Sequence, residues 1–252
     1  MKRVLLCVAY DGTAYAGWQV QKNAETVEGK LNKALSDLCK ETIEVIGASR
    51  TDAGVHSLSS MCVFDTKMRM PAEKFSFALN TKLPDDIRVV WSKEVNENFH
   101  PRHCLTEKTY EYHIYNEEFM PPTARLYAYH ERRKLDIEAM KEASKYLVGE
   151  HDFKSFCSAE STAETTVRTI TNIDVFKTGD EVIISVTGNG FLYNQVRIIA
   201  GTLMWVGLKV RKPKDVKDML EACDRSASGP TAPAHGLILK SFKFLEEEAL
   251  KP

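Results

Sequence analysis

Asp52 lies in "GASRTDAGVHSLSS" (47–60), two residues after Arg50 and four before His56. A surface turn asks for little more than Asp-x-Gly, because Asp bonds its own backbone and Gly tolerates positive φ. Arg50 and His56 exceed that need. An Asp kept ionised in a sequestered site by a neighbouring cation is a nucleophile. Arg197, in "YNQVRIIAGTLMW", follows Val and precedes Ile-Ile-Ala, close to the buried stripe of a mostly apolar helix. A buried guanidinium needs an anion beside it, and by chemistry Asp52 is its best partner; the alternative is an Arg that snorkels along its helix to the surface. Tyr110 opens the strand-like "TYEYHIYN" and shares a face with Tyr112 and Ile114, while Glu111, His113 and Tyr115 share the other. One face must be core. A Tyr at the start of such a strand can also stack on a base or exchange a proton.

Other chemistries find little support. In "HPRH", His100 and His103 flank a Pro with no Cys or carboxylate pair nearby, so no metal is expected. Six cysteines without a C-x-x-C pair read as reduced core residues. "GNGFLYNQ" lacks the third glycine and the downstream acid of a dinucleotide site, and is expected to be a tight turn before a helix. P-loop, G-x-S-x-G and local Cys–His patterns are missing, so no cofactor is expected. A glycosidase would need a second carboxylate, and none stands near Asp52 in sequence.

The 252 residues are 43% hydrophobic and 27% charged with net charge -1, as in ordinary globular proteins. With no leader pattern or membrane-length apolar run, the chain is expected to be cytoplasmic and to have no membrane partner. Its positive charge is clustered in "HERRK" (130–134), "KVRKPK" (209–214) and at Arg50, Arg102, Arg125 and Arg168. Such clusters either contact phosphates or merely solvate helix and loop ends.

The elements that must position these groups follow from hydrophobic periodicity. "RVLLCVAY" reads as a buried strand and "ETVEGKLNKALSDLCK" as a helix. "IEVIGA" and "SSMCVFDT" are strands, "PAEKFSFALNT" a helix and "IRVVWSKEV" a strand, giving β-α-β-β-α-β. The second half starts over with "TYEYHIYN". A helix over "LDIEAMKEASKYLVGE" is N-capped by Asp136 and ended by Gly149. A strand pair then turns at 177–180, two helices cover "FLYNQVRIIAGTLMWVG" and "PKDVKDMLEACD", and "LILKSFKFL" closes as a strand. The predicted class is α+β. Two pseudo-duplicated split β-α-β domains of RRM or ferredoxin-like type, 1–104 and 105–252, share an extended, largely antiparallel sheet with helices on one side. A cleft is expected at the crease between them, near 99–110.

Over nearly its whole length the chain resembles the TruA-type tRNA pseudouridine synthases. "YDGTAYAGWQVQ", "ASRTDAGVHS", "NTKLPDDIRVV", "FHPRHCLTEKTYEYHIYN", "GEHDFKSFCSAES", "GNGFLYNQVRIIAGTL" and "DRSASGPTAPAHGLIL" match in order. The resemblance implies isomerisation of uridine to pseudouridine at positions 38, 39 and 40 of the tRNA anticodon stem-loop, after the base is flipped out, by a homodimer. It implies that Asp52 is the nucleophile, that Tyr110 stacks on the target uracil or exchanges a proton with it, and that Arg197 pairs with the nucleophile. Arg50 resembles the residue that helps hold the everted nucleotide, and Leu237 an apolar residue lining the base pocket. Arg102 and His56 complete the expected substrate side, His56 by ordering the loop. The chain departs from the family in having Ser49 where Gly is usual, and in lacking an acidic residue near Trp205. The rival expectations are a non-catalytic RNA-binding protein of the same fold and a paralogue modifying other RNA uridines.

Overall fold

The computed structural model of the chain describes residues 1–246; Glu247 to Pro252, the end of the predicted second domain, lie outside the described residues. Two compact units form. One comprises Met1–Thr106 with the segment from Leu239, the other Glu107–Ile238.

In the first unit β1 (Lys2–Tyr10), α1 (Val27–Cys39), β2 (Ile46–Gly47), β3 (His56–Thr66), α2 (Phe75–Asn80) and β4 (Ile87–Val95) follow in the predicted order. β1 lies antiparallel between β4 and β3 and is covered on both faces. Val4, Leu6 and Val8 enter the core with the helices, and Leu5 and Cys7 join Met61, Val63 and Phe99 on the other face. That double coverage is why "RVLLCVAY" is an unbroken apolar run. α1 buries Val27, Leu31, Ala34 and Leu35, one stripe at helical spacing. Its N-cap Thr26 accepts from the Gly29 N–H at 3.2 Å, meeting one of the unpaired donors of the first turn. Asn80 closes α2 onto β4 by bonding both the N–H and the C=O of Val89, at 2.8 and 2.9 Å.

The second unit contains β5 (Thr106–Tyr115), β6 (Tyr129–His130), α3 (Ile137–Ser144), β7 (Gly149–Asp152), β8 (Val167–Thr178), β9 (Glu181–Gly188), α4 (Gln195–Gly207) and α5 (Asp215–Glu221). The strands run β5-β9-β8-β7, antiparallel, with β6 parallel to β5. β8 and β9 meet through Gly179, whose φ of +58° suits a tight hairpin turn. α4 is buried nearly all round, as its composition requires. The closing strand β10 (Leu237–Phe244) lies beside β3 and, from Leu239 on, belongs to the first unit.

The class is α+β, as the element order predicts. Local boundaries differ. β6 and β7 are too short to carry a period-2 signal. Asp136 does cap α3, accepting from the Ala139 N–H at 3.1 Å. The helix nevertheless ends at Ser144, and Gly149, at φ +118°, opens β7 instead of ending the helix. α4 begins at Gln195, because Asn194 takes a left-handed conformation at φ 61°.

Phe64 is 1% exposed and packs edge-on against Phe75 at 5.2 Å. Phe64→Ala is expected to lower unfolding free energy by about 3–5 kcal/mol, read from the urea midpoint; an unchanged midpoint contradicts this core assignment.

Candidate active site

Asp52 lies on a loop held from beneath by the segment 10–18. The Trp18 N–H donates to Thr51 O at 3.1 Å, and the Gly54 N–H to Tyr15 O at 3.3 Å. Both glycines of "DGTAYAG" are required by this approach. A Cβ on Gly12 would lie 2.0 Å from Val55 O, and one on Gly17, already at φ +92°, 2.5 Å from Thr51 O. Below the loop the Tyr10 hydroxyl bonds Thr51 Oγ1 at 2.7 Å and Ser60 Oγ at 3.1 Å. Burial raises the Tyr10 pKa, keeping the phenol protonated. Tyr15 is pinned in turn, donating to Asp86 Oδ1 at 2.7 Å. The Val55 N–H closes the turn on Asp52 O at 3.1 Å, and Gly54 supplies a φ of +77°. The turn therefore has a fixed backbone and a half-buried carboxylate side chain.

His56 is 3% exposed. Its Nδ1 accepts from the Gly12 N–H at 3.0 Å and lies 3.2 Å from Asp11 Oδ1, tying the two loops together. Arg50 is exposed beside Asp52 in the chain. The Arg102 Nε donates to Gly47 O at 2.7 Å, at the base of the same loop. His100 and His103 stack at 4.0 Å; among the described residues no three His, Cys, Asp or Glu side chains converge on a metal-sized site. The Ser49 hydroxyl is buried without a hydrogen-bond partner among the described residues, at a cost of about 1–3 kcal/mol.

In the second unit Tyr110, Tyr112 and Ile114 are all buried, so this face of β5 is the core face. Tyr110 meets the Phe191 ring edge-on at 5.3 Å. Tyr112 donates to Pro233 O at 3.0 Å, and burial raises its pKa, with Arg197 acting in the opposite direction. Arg197, in the first turn of α4, is half-buried. Its Nε donates to Ala232 O and its Nη1 to Asn194 Oδ1, each at 2.7 Å. The Ala232 N–H returns a bond to Arg197 O at 3.1 Å. The guanidinium is thus aimed by the strap 228–236, which crosses α4 where a Cβ on Gly201 would lie 1.9 Å from Pro230 O. Leu237, 5% exposed, follows that strap directly.

The sequence patterns single out Asp52, His56, Tyr110 and Arg197 but not what fixes them. The glycines of "DGTAYAG" and the Gly-Pro of the strap were the available signals. Lys108 was also missed. It stands two residues before Tyr110 on the same face of β5, and burial, then Arg168, push its pKa down to about 8.

A family model described as tRNA pseudouridine synthase matches residues 6–103 and 143–244. The chain is 50% identical over 245 residues to the tRNA pseudouridine synthase A 2 of Clostridium tetani, covering 96% of this chain and 99% of the relative. It is 47% identical over 239 residues to the tRNA pseudouridine synthase A of Thermoanaerobacter sp. (strain X514), and equally to that of Brevibacillus brevis. Each of these matches covers 95% of this chain and 98% of the relative.

Tyr10→Phe removes the hydroxyl under Thr51. It is expected to cost about 1–2 kcal/mol and to speed amide exchange at Gly54 and Val55 more than in β1 at Leu5 and Leu6. Equal protection in both variants would show that the hydroxyl does not hold the loop.

Proposed function

The chain belongs to the tRNA pseudouridine synthase family, and we propose that it isomerises uridine to pseudouridine at positions 38, 39 and 40 of the tRNA anticodon stem-loop, with Asp52 as nucleophile. The observation that carries this is the Asp52 carboxylate on a loop whose backbone is fixed by Gly12, Gly17 and Thr51. A nucleophile gains from such fixing because misplacement by an ångström costs rate.

The reaction breaks the bond between uracil N1 and ribose C1′, turns the base and joins C1′ to C5. The C5 proton leaves and N1 gains one, so the RNA keeps its mass and no redox group or nucleotide energy is consumed. Asp52 forms the covalent intermediate, at the ribose or at the base. Tyr110 stacks on the uracil or takes the C5 proton, Arg197 keeps the nucleophile ionised, and Leu237 contributes apolar surface to the base pocket. Extruding a paired uridine costs a few kcal/mol, which Arg50 offsets by holding the displaced nucleotide. Arg102 contacts the tRNA backbone, and His56 keeps the nucleophile loop in register. A homodimer working on cytoplasmic tRNA completes the proposal. Among the described residues no helix is long and apolar enough to cross a membrane.

The test is tritium release from tRNA labelled at uridine C5, without added metal or nucleotide. Wild type is expected to release tritium and form pseudouridine, while Asp52→Ala binds tRNA but falls by at least about 10⁴-fold. Retained binding with no release by wild type would identify an RNA-binding protein instead.

A further inference from the structure

The basic segments 130–134 and 209–214 carry three and four Lys or Arg residues, with one acid, Glu131, between them. The fold joins them. The Asp136 N–H donates to Gly207 O at 2.9 Å, and the Lys209 Nζ lies 3.8 Å from Asp136 Oδ2. Only glycine allows this approach, because a Cβ on Gly207 would lie 2.7 Å from Met140 Sδ and 3.0 Å from Leu135 Cδ2. Both segments therefore meet at the C-terminal end of α4. Neither is a loose tail. Asn116 is 9% exposed, and its side chain donates to Glu131 O and Arg133 O at 2.6 and 2.8 Å and accepts from the Leu135 N–H at 3.2 Å. The buried Glu131 carboxylate accepts from the Arg133 N–H at 3.0 Å and from its guanidinium at 2.9 and 2.8 Å. In the other segment the Val210 N–H donates to Trp205 O at 2.9 Å, and the Arg211 guanidinium lies over the Trp205 ring at 5.6 Å. Arg133 and Lys209 thus have acids beside them. Arg132, Lys134, Lys212 and Lys214 are exposed and have no anionic partner among the described residues.

We propose that Arg132, Lys134, Lys212 and Lys214 form a second contact surface for the tRNA backbone, holding phosphates several nucleotides away from the nucleotide at Arg197. The inference rests on the tRNA substrate proposed above and names a further part of it that the protein holds. Like charges gathered on a fixed backbone repel one another, so their grouping asks for an anion. The helix end is not that anion, since its dipole amounts to about half a charge, which Lys209 and Arg211 already exceed. A small anion would occupy one or two of the four cations, whereas a polyanion engages all of them. Distance separates this surface from the reacting nucleotide: Arg197 and Gly207 stand about 15 Å apart along α4, while successive phosphates of a helical strand advance by about 3.4 Å. Contacts of this kind set the register of the RNA without reading its bases.

The test is the salt dependence of tRNA binding. Wild type, the pairs Arg132→Gln/Lys134→Gln and Lys212→Gln/Lys214→Gln, and the fourfold variant are titrated with tRNA between about 50 and 200 mM salt. The fourfold variant is expected to bind at least about tenfold more weakly at the middle of that range and to flatten the log–log salt slope by about 3. Each pair is expected to flatten it by about 1.4–1.8, and the pairs give the reading if the fourfold variant does not fold. The urea midpoint of each should equal or exceed that of wild type, because repulsion is removed. The control is Lys141→Gln/Lys217→Gln, two exposed cations of the same unit already beside Glu138 and Glu221, expected to change affinity by less than about twofold. Wild-type affinity and slope in the fourfold variant or in both pairs, or an equal loss in the control, overturns the proposal. Wild type that binds no tRNA overturns it together with the proposed substrate. Wild type that binds tRNA without making pseudouridine overturns the proposed reaction, and the salt slopes still decide this surface.

Discussion

The backbone of residues 51–55 and that of residues 12–18 approach so closely that a single methyl group will not fit between them at Gly12 or Gly17. The contact is made by peptide groups, through Trp18 N–H to Thr51 O and Gly54 N–H to Tyr15 O. It leaves the Asp52 side chain half-buried beside it. Side chains then lock the contact from both ends, with Tyr10, Thr51 and Ser60 joined by hydroxyls on one side and Gly12, His56 and Asp11 on the other. Each bond is worth only about 1 kcal/mol net. Together they specify one loop conformation, because buried hydroxyls and amides that lose a partner incur a larger penalty than the bond returns. β1 makes this possible. It is buried on both faces, and it ends at Tyr10, so the clamp grows from a strand held within the core of the first unit.

The second unit solves the same problem with a strap. A half-buried guanidinium is expensive unless its donors are used, and Arg197 uses Nε on Ala232 O and Nη1 on Asn194 Oδ1. The left-handed Asn194 both starts α4 and supplies the acceptor. The strap is held in turn by Gly229, whose N–H donates to Thr202 Oγ1 at 2.9 Å, and by the tight crossing at Gly201. Helix, strap and the buried Tyr112 therefore form one body, and a change at Gly201 would reach Arg197 without touching it.

Much of the architecture was legible in the sequence because apolar spacing is a direct consequence of burial. The stripe of α1 and the double-sided burial of β1 follow from residue type alone. Elements as short as β6 and β7 have too few residues for a period to show. The late start of α4 depends on a single backbone conformation, at Asn194, that residue type permits without dictating, and α3 gives way at Ser144 to a tighter turn over Lys145–Leu147. At the candidate site, Asp52 and Arg197 stand out because a charge in an apolar surrounding has to be accounted for, and Tyr110 because it opens a strand of alternating aromatic residues. Gly12, Gly17 and Thr51 do not stand out, since their importance lies in contacts between segments some forty residues apart. Lys108 was hidden by its place in an otherwise polar stretch, "TEKT", where only the strand register shows that it shares the face of Tyr110.

If the close backbone contact at Gly17 sets the position of the Asp52 carboxylate, the single-turnover rate of pseudouridine formation in Gly17→Ala falls at least about 100-fold below wild type, with tRNA affinity within a few-fold and the circular dichroism spectrum unchanged. A folded Gly17→Ala protein that reacts at the wild-type rate would contradict it.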